Sequence, residues 1–312
     1  MRRGIVLGVL LAVGALTVAV AGFQQPAAGG AQPAPRVVTV QKLKDNLYVL
    51  GGGGGNTAVF ITASGVTVVD TKNPGWGQPI LDEIKKLTDR PVTTIINTHT
   101  HGDHVSGNVE FTRATQVLTH VNTAKNMERM ATPSGFPVPP GGATNIFKEN
   151  GGNGMPQKTF DTTLAIGRDA DEVNLLYFGR GHTNGDAWVY FPALRVLHAG
   201  DIFSGKNLPL LDGNNGGSGV AIADTLAKAA QTVAAAEAII TGHSTVMTLA
   251  DLREYSEFNR EFMQYVQAGK QNGQTVDQIA TSWKMPAKYT GYAEAQAARL
   301  RSNVQVIFDE LP

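Results

Sequence analysis

Val92 to Asn97 reads as a buried strand, and it runs directly into Thr98-His99-Thr100-His101-Gly102-Asp103-His104. Three imidazoles and a carboxylate therefore fall within six residues at a strand end. In a chain of 312 residues with 7 histidines, three at these offsets arise by chance at roughly one start position in 10^5, so the segment asks for chemistry. Alternate side chains along an extended end can converge, which lets His99 and His101 grip one ion. Asp103 and His104 are adjacent and must point differently; a helix beginning near Val105 presents them to a second ion nearby. The chain has no cysteine, which excludes disulfides, thiolate nucleophiles, zinc knuckles and iron–sulfur clusters. Imidazole and carboxylate without sulfur suit Zn²⁺, Fe or Mn²⁺.

Two donors per ion leave both incomplete, and further candidates follow along the chain. His182 lies in Gly179-Arg180-Gly181-His182-Thr183-Asn184-Gly185-Asp186, after a strand ending at Phe178. Asp201 ends the strand Arg195 to Ala199, in His198-Ala199-Gly200-Asp201, and His243 follows Ala238 to Thr241 in Gly242-His243-Ser244. Each sits at a strand end beside a glycine, where loops on a rigid scaffold build sites. His198 and His120 are expected to be core or supporting histidines rather than ligands.

Elsewhere strands and helices alternate. Val37 to Val40, Leu47 to Leu50, Thr57 to Thr62 and Val66 to Asp70 form an antiparallel opening, with a hairpin turn at Ala63-Ser64-Gly65. A helix over Pro79 to Thr88 carries Ile80, Leu81, Ile84 and Leu87 on one face. Residues 126 to 160 show little periodicity and are expected to be an inserted loop region. Strands resume at Val173 to Phe178 and Ala187 to Phe191, a helix spans Thr225 to Glu237, and in the C-terminal helical segment from about Asp251 helices are expected over Asp251 to Gly269, Val276 to Trp283 and Ala293 to Leu311. There Leu252, Tyr255, Phe258 and Phe262 form a packing stripe.

The motif His99 to His104 and the order of the later donors resemble the metallo-β-lactamase fold superfamily over about Val37 to Ser244. The resemblance implies a four-layer αβ/βα sandwich of the α+β class, with C-terminal helices and a dinuclear site along one edge. Carried over by position, His99, His101 and His182 hold the first ion and Asp103, His104 and His243 the second. Asp201 matches the carboxylate that bridges the ions in glyoxalase II-like and lactonase-like members, where lactamases of this fold place Cys or Ser. Asp70, in Val68-Val69-Asp70-Thr71, matches an early Asp that orients the site. Asp103 and Asp70 are thus the carboxylates expected to serve catalysis. Asn56 on an early hairpin, and Lys206 and Asn215 in the loops after Asp201, are expected to meet substrate. The Gly51 to Gly55 run reads equally as a flap over the metals or a loose hairpin loop.

These features together imply an exported hydrolase with two Zn²⁺ per chain (Fe or Mn as other occupants) and a small-molecule substrate. Two dications, two carboxylates and a shared hydroxide leave a charge of about +1, which favours anionic or carbonyl-bearing substrates. Hydrolysis of an ester, thioester, lactone or amide is expected. A β-lactamase is the runner-up, and an iron-dependent oxygenase or persulfide enzyme the other alternative. Equal numbers of acidic and basic residues, 26 each, argue against a nucleic-acid partner bound by broad phosphate neutralisation. A binding module that had lost its chemistry would lack ligands, and none is missing. Met1-Arg2-Arg3, the apolar run to Ala21 and the site Ala19-Val20-Ala21 have the form of a signal peptide over 1–21. An uncleaved anchor is the alternative reading. A linker over 22–35 and a catalytic domain over 36–312 complete the organisation, giving a periplasmic or secreted protein with no membrane anchor after cleavage.

Overall fold

The computed structural model describes residues 36–112 and 115–312; the expected leader and linker lie outside the described residues. Four short strands open the domain: β1 (Thr39–Lys44), β2 (Leu47–Gly51), β3 (Thr57–Thr62) and β4 (Gly65–Val69). They pair antiparallel in sequence order, and the β3–β4 turn closes at Thr62↔Gly65. Helix α1 (Gly77–Leu87) then crosses back to β5 (Val92–Asn97), parallel to β4. After α2 (Gly102–Val105), β6 (Gln116–His120) adds parallel to β5. Helices α3 (Val121–Met127) and α4 (Ile146–Glu149) precede β7 (Lys158–Phe160), which completes a seven-stranded sheet. A second sheet of five strands has the order β12-β11-β10-β9-β8, from β8 (Thr163–Ile166), β9 (Val173–Leu176), β10 (Trp188–Phe191), β11 (Val196–Gly200) and β12 (Ala238–Thr241). Helix α5 (Ile222–Thr232) links the parallel pair β11–β12. Helices α6 (Leu249–Gln271), α7 (Val276–Ser282) and α8 (Ala297–Glu310) follow.

The layers follow from strand alternation, because successive residues point to opposite faces of a sheet. Ala58 and Phe60 of β3, Ile96 of β5 and Leu118 of β6 meet Val189 and Phe191 of β10, Val196 of β11 and Ile240 of β12 in one core between the sheets. Phe60 and Phe191 stack edge to face across it with ring centroids 5.1 Å apart. The neighbours Val59, Ile95 and Val117 point the other way and pack with Ile80 and Ile84 of α1. Trp188, Leu197 and Ile239 point out of the second sheet onto α5, α6 and α8. The result is the expected helix–sheet–sheet–helix order. The stripe Leu252, Tyr255, Phe258 and Phe262 is wholly interior and serves this packing.

Two expectations need correction. Residues 126 to 160 are not loop throughout: α3 runs to Met127, α4 buries Phe147 against Val105 and Met127, and β7 pairs with β6. Elements of three and four residues are too short to show a period. The helix after the histidine motif begins at Gly102 rather than near Val105, with His101 as its N-cap. Among the described residues no helix is long and apolar enough to cross a membrane.

Candidate metal centre

Strands β4, β5, β9, β11 and β12 all deliver their carboxyl ends to one edge of the sandwich. Asp70 follows β4, His99 to His104 follow β5, His182 follows β9, Asp201 follows β11 and His243 follows β12. This brings all seven sequence-predicted ligands together as two lobes. His99, His101, His182 and Asp201 place one donor atom each within 4.8 Å of one another, and Asp103, His104 and His243 do the same. Asp201 touches both lobes. Its Oδ1 lies 3.1 Å from His104 Nε2, and its Oδ2 lies 3.2 Å from His243 Nε2 and 3.9 Å from His182 Nε2. Asp103 Oδ2 is 3.3 Å from His243 Nε2.

Most of the imidazoles have one nitrogen engaged by the protein, which fixes the ring and aims the other nitrogen inward. His101 Nε2 donates to Asp212 Oδ2 at 2.7 Å, leaving Nδ1. His182 Nδ1 donates to the Leu210 carbonyl at 2.6 Å, leaving Nε2. His104 Nδ1 donates to Asp70 Oδ2 at 2.7 Å. The Thr98 hydroxyl gives its proton to Asp70 Oδ2 at 2.7 Å, so its oxygen accepts from His99 Nδ1 at 3.0 Å. Thr98 N also donates to Asp70 Oδ1. With both oxygens so engaged, Asp70 orients His104 directly and His99 through Thr98, although it lies close enough to both to form a third donor group.

The donor set fits two cations. His99 Nε2 is fully buried with no hydrogen-bond partner, a cost a protein seldom bears without compensation. His101 Nδ1 and His182 Nε2 face each other at 3.0 Å with their outer nitrogens engaged by Asp212 and the Leu210 carbonyl, so the two inward nitrogens meet where a cation belongs. The electrostatics divide the same way. Burial, followed by the neighbouring imidazoles, holds His99 well below its ordinary range, and burial with His101 brings His182 down to about 4. In the second lobe burial opposes charge and loses. Asp201, Asp103 and Asp70 raise His104 well above its usual value, and Asp201 is the largest cause lifting His243 to about 9. Burial alone would raise the Asp103 and Asp201 carboxyls, but His104 and His243 hold both well below the carboxylate range.

Supporting groups sit where no local pattern announces them. Asp212 is fully buried, and its Oδ1 accepts from the backbone of Ser134 (2.9 Å) and Asn214 (3.1 Å). Asn215, expected to meet substrate, gives its side-chain amide to Asp212 Oδ2 at 2.6 Å. Asn56 likewise donates to the carbonyls of Thr241 and Ser244, gripping the turn that carries His243. The Lys206 ammonium pairs with Asp251 at 2.9 Å and Glu254 at 3.1 Å. None of the three joins the metal cluster. His198, as expected, serves the frame: Nε2 donates to the Asn56 carbonyl and Nδ1 accepts from Gly200 N. His120 caps α3 by accepting from Asn122 N. The glycine run is part of the site wall, since a Cβ on Gly55 would overlap the His104 ring. Gly242 must also lack a side chain, because a Cβ there would strike Asp201 Oδ1.

Residues 50–243 match the family described as the metallo-beta-lactamase superfamily. The metallo-beta-lactamase type 2 of Elizabethkingia meningoseptica is 29% identical over 177 residues, 53% of this chain and 62% of that protein. The 2,4-dinitroanisole O-demethylase subunit alpha of a Nocardioides species is 28% identical over 172 residues, 54% of this chain and 47% of that one. The chain thus spans less than two thirds of the length of these curated relatives. Among solved structures, a metallo-beta-lactamase from Pontibacter korlensis superposes with TM-score 0.58 at 18% identity, over 72% of this chain and 99% of that one. A stereoselective inverting sec-alkylsulfatase from Pseudomonas sp. superposes with TM-score 0.66 at 15% identity, over 86% of this chain and 50% of that one. At these identities the structural likeness speaks for the fold.

Proposed function

The chain belongs to the metallo-β-lactamase superfamily, and from that premise we propose that it is a dinuclear metal-dependent hydrolase acting on a carbonyl substrate: an ester, thioester, lactone or an amide other than a β-lactam. The observation that carries this reading is the Asp201 carboxylate, which lies 3.1 and 3.2 Å from His104 and His243 of the second lobe and 3.9 Å from His182 of the first, while His99, His101 and His182 gather their donor atoms around it. Two Zn²⁺ ions held there would supply a water acidified toward neutral pH and Lewis-acid polarisation of a carbonyl. This chain's own residues set the rest. Asp212, Leu210, Asp70 and Thr98 fix the ring orientations, and Asp103 and Asp201 supply negative charge that balances the cations. His243 and Asp103, with side chains 37% and 26% exposed, form the open side through which substrate enters.

The names of the Elizabethkingia relative and of the metallo-beta-lactamase IND-1 of Chryseobacterium indologenes, 26% identical over 170 residues, keep a β-lactam as the second substrate class. Asp201 favours the first class. The test is a panel of nitrocefin, a thioester, a lactone and an aryl ester against the zinc-loaded mature protein. Turnover of a thioester, lactone or aryl ester that a chelator abolishes is expected. Turnover of nitrocefin alone would favour the lactamase, and none at all would sink the hydrolase reading. Activity that requires iron and coloured protein would mark the oxygenase or persulfide alternative. We also propose export after cleavage behind Ala21. N-terminal sequencing of the exported protein should begin near Gly22, and a sequence retaining Met1 would mean an anchor.

A further inference from the structure

Lys72 is fully buried two residues beyond Asp70, and it belongs to none of the roles above. Its Nζ donates to the carbonyls of Leu50, just before the glycine run, at 2.8 Å and of Gly55, the last residue of the run, at 2.7 Å. Asn73 adds its backbone and side-chain amides, both donating to the Gly53 carbonyl at 3.1 Å. From the other side Trp76 lies so close to Gly53 that a Cβ there would overlap the indole. The loop in turn bears on the second lobe: Gly55 N donates to the Asp103 carbonyl at 3.0 Å, and Gly55 lies against the His104 ring. An ammonium is seldom buried this completely without a charge partner. Burial brings Lys72 down to about 7, against the opposing pull of the Asp70 and Asp103 carboxylates.

We infer that Lys72 is a positioning residue: it clamps the Gly51–Gly55 loop against Asp103 and His104 and thereby sets the affinity of the second lobe for its cation. This resolves the glycine run as a held wall of the site. The inference rests on the two-ion reading above. It accounts for a buried lysine in a left-handed backbone conformation, φ 69°, which side chains adopt only where the surroundings impose it.

The test is Lys72→Met, which keeps the aliphatic stem and removes the donor, with Lys72→Gln as the conservative variant. Zinc titration of each lobe by calorimetry should show the second ion bound at least about tenfold more weakly in Lys72→Met, the first within about twofold of the parent, and partial recovery in Lys72→Gln. Hydrogen exchange of the metal-free proteins should show the Gly51–Gly55 amides at least about tenfold less protected in Lys72→Met. A lysine that merely stabilises the fold would weaken both ions alike or neither, and either result overturns the inference, as does unchanged loop protection. If Lys72→Met fails to fold, Asn73→Ala decides by the same measurements, with the same selective loss expected and unchanged values contradicting it. If the parent binds one ion only, the two-ion reading fails, and the metal-free exchange comparison alone decides the clamp.

Discussion

At the scale of single residues the site is a set of directed lone pairs, and each direction has a named cause. Asp212 sends His101 Nδ1 inward, so Asp212→Ala should lower first-lobe zinc affinity by about 10–100-fold with the second lobe spared, a loss that competition with a chromophoric chelator would read. Equal loss in both lobes would contradict that assignment. The two lobes should also differ in pH dependence. Without cations His104 and His243 have raised pKa values, His243 about 9, so both carry protons at neutral pH that a cation must displace. His99 and His182 are depressed and already neutral. Second-ion affinity should therefore climb more steeply than first-ion affinity as pH rises from 7 to 9, by about tenfold per unit for each proton displaced. Calorimetry across that range checks it, and parallel slopes would refute it. His99 to His104 were legible because their convergence is local along one strand end. Asp212 was not legible as the partner of His101, because 111 residues separate them and no spacing rule reaches that far. The clamp made by Lys72 was not legible either, because its acceptors are the carbonyls of Leu50 and Gly55, which carry no sequence signal.

At the scale of elements, the two sheets are locked by side chains that alternate cleanly, and that alternation is what the sequence showed best. The antiparallel opening, the helix over α1 and the strands β5, β10 and β12 follow from β-branched runs and helical spacing. Strands β7 and β8 escaped because three or four residues offer no period; pairing with β6 and β9 makes them strands. Phe60 stands at the middle of the inter-sheet core, fully buried against Phe191. Phe60→Ala should destabilise the domain by about 3–5 kcal/mol, seen as a lower urea midpoint with an unchanged slope. A cost below about 1 kcal/mol would mean the sheets repack freely. The site itself should survive this change at low temperature, because the ligands hang from strand ends rather than from the core.

At the scale of the whole molecule, two half-sandwiches present carboxyl strand ends to one edge, and each half contributes donors to both lobes or to their shared carboxylate. His99, His101, Asp103 and His104 come from the first sheet, and His182, Asp201 and His243 from the second. The metal centre is therefore also a seam between the sheets, with Asp201 at its midpoint. Removing that carboxylate takes one negative charge from between two dications, and like charges in a poorly solvated cleft repel strongly. Metal content decides whether Asp201 holds the two ions together, measured on the parent protein and on Asp201→Ala, each equilibrated with zinc and freed of excess. The parent should hold two ions per chain. Asp201→Ala should hold one, on His99, His101 and His182, with a native circular dichroism spectrum and hydrolysis lowered on the order of 10^2 or more. Two ions and near-normal turnover in Asp201→Ala would contradict the shared-carboxylate centre.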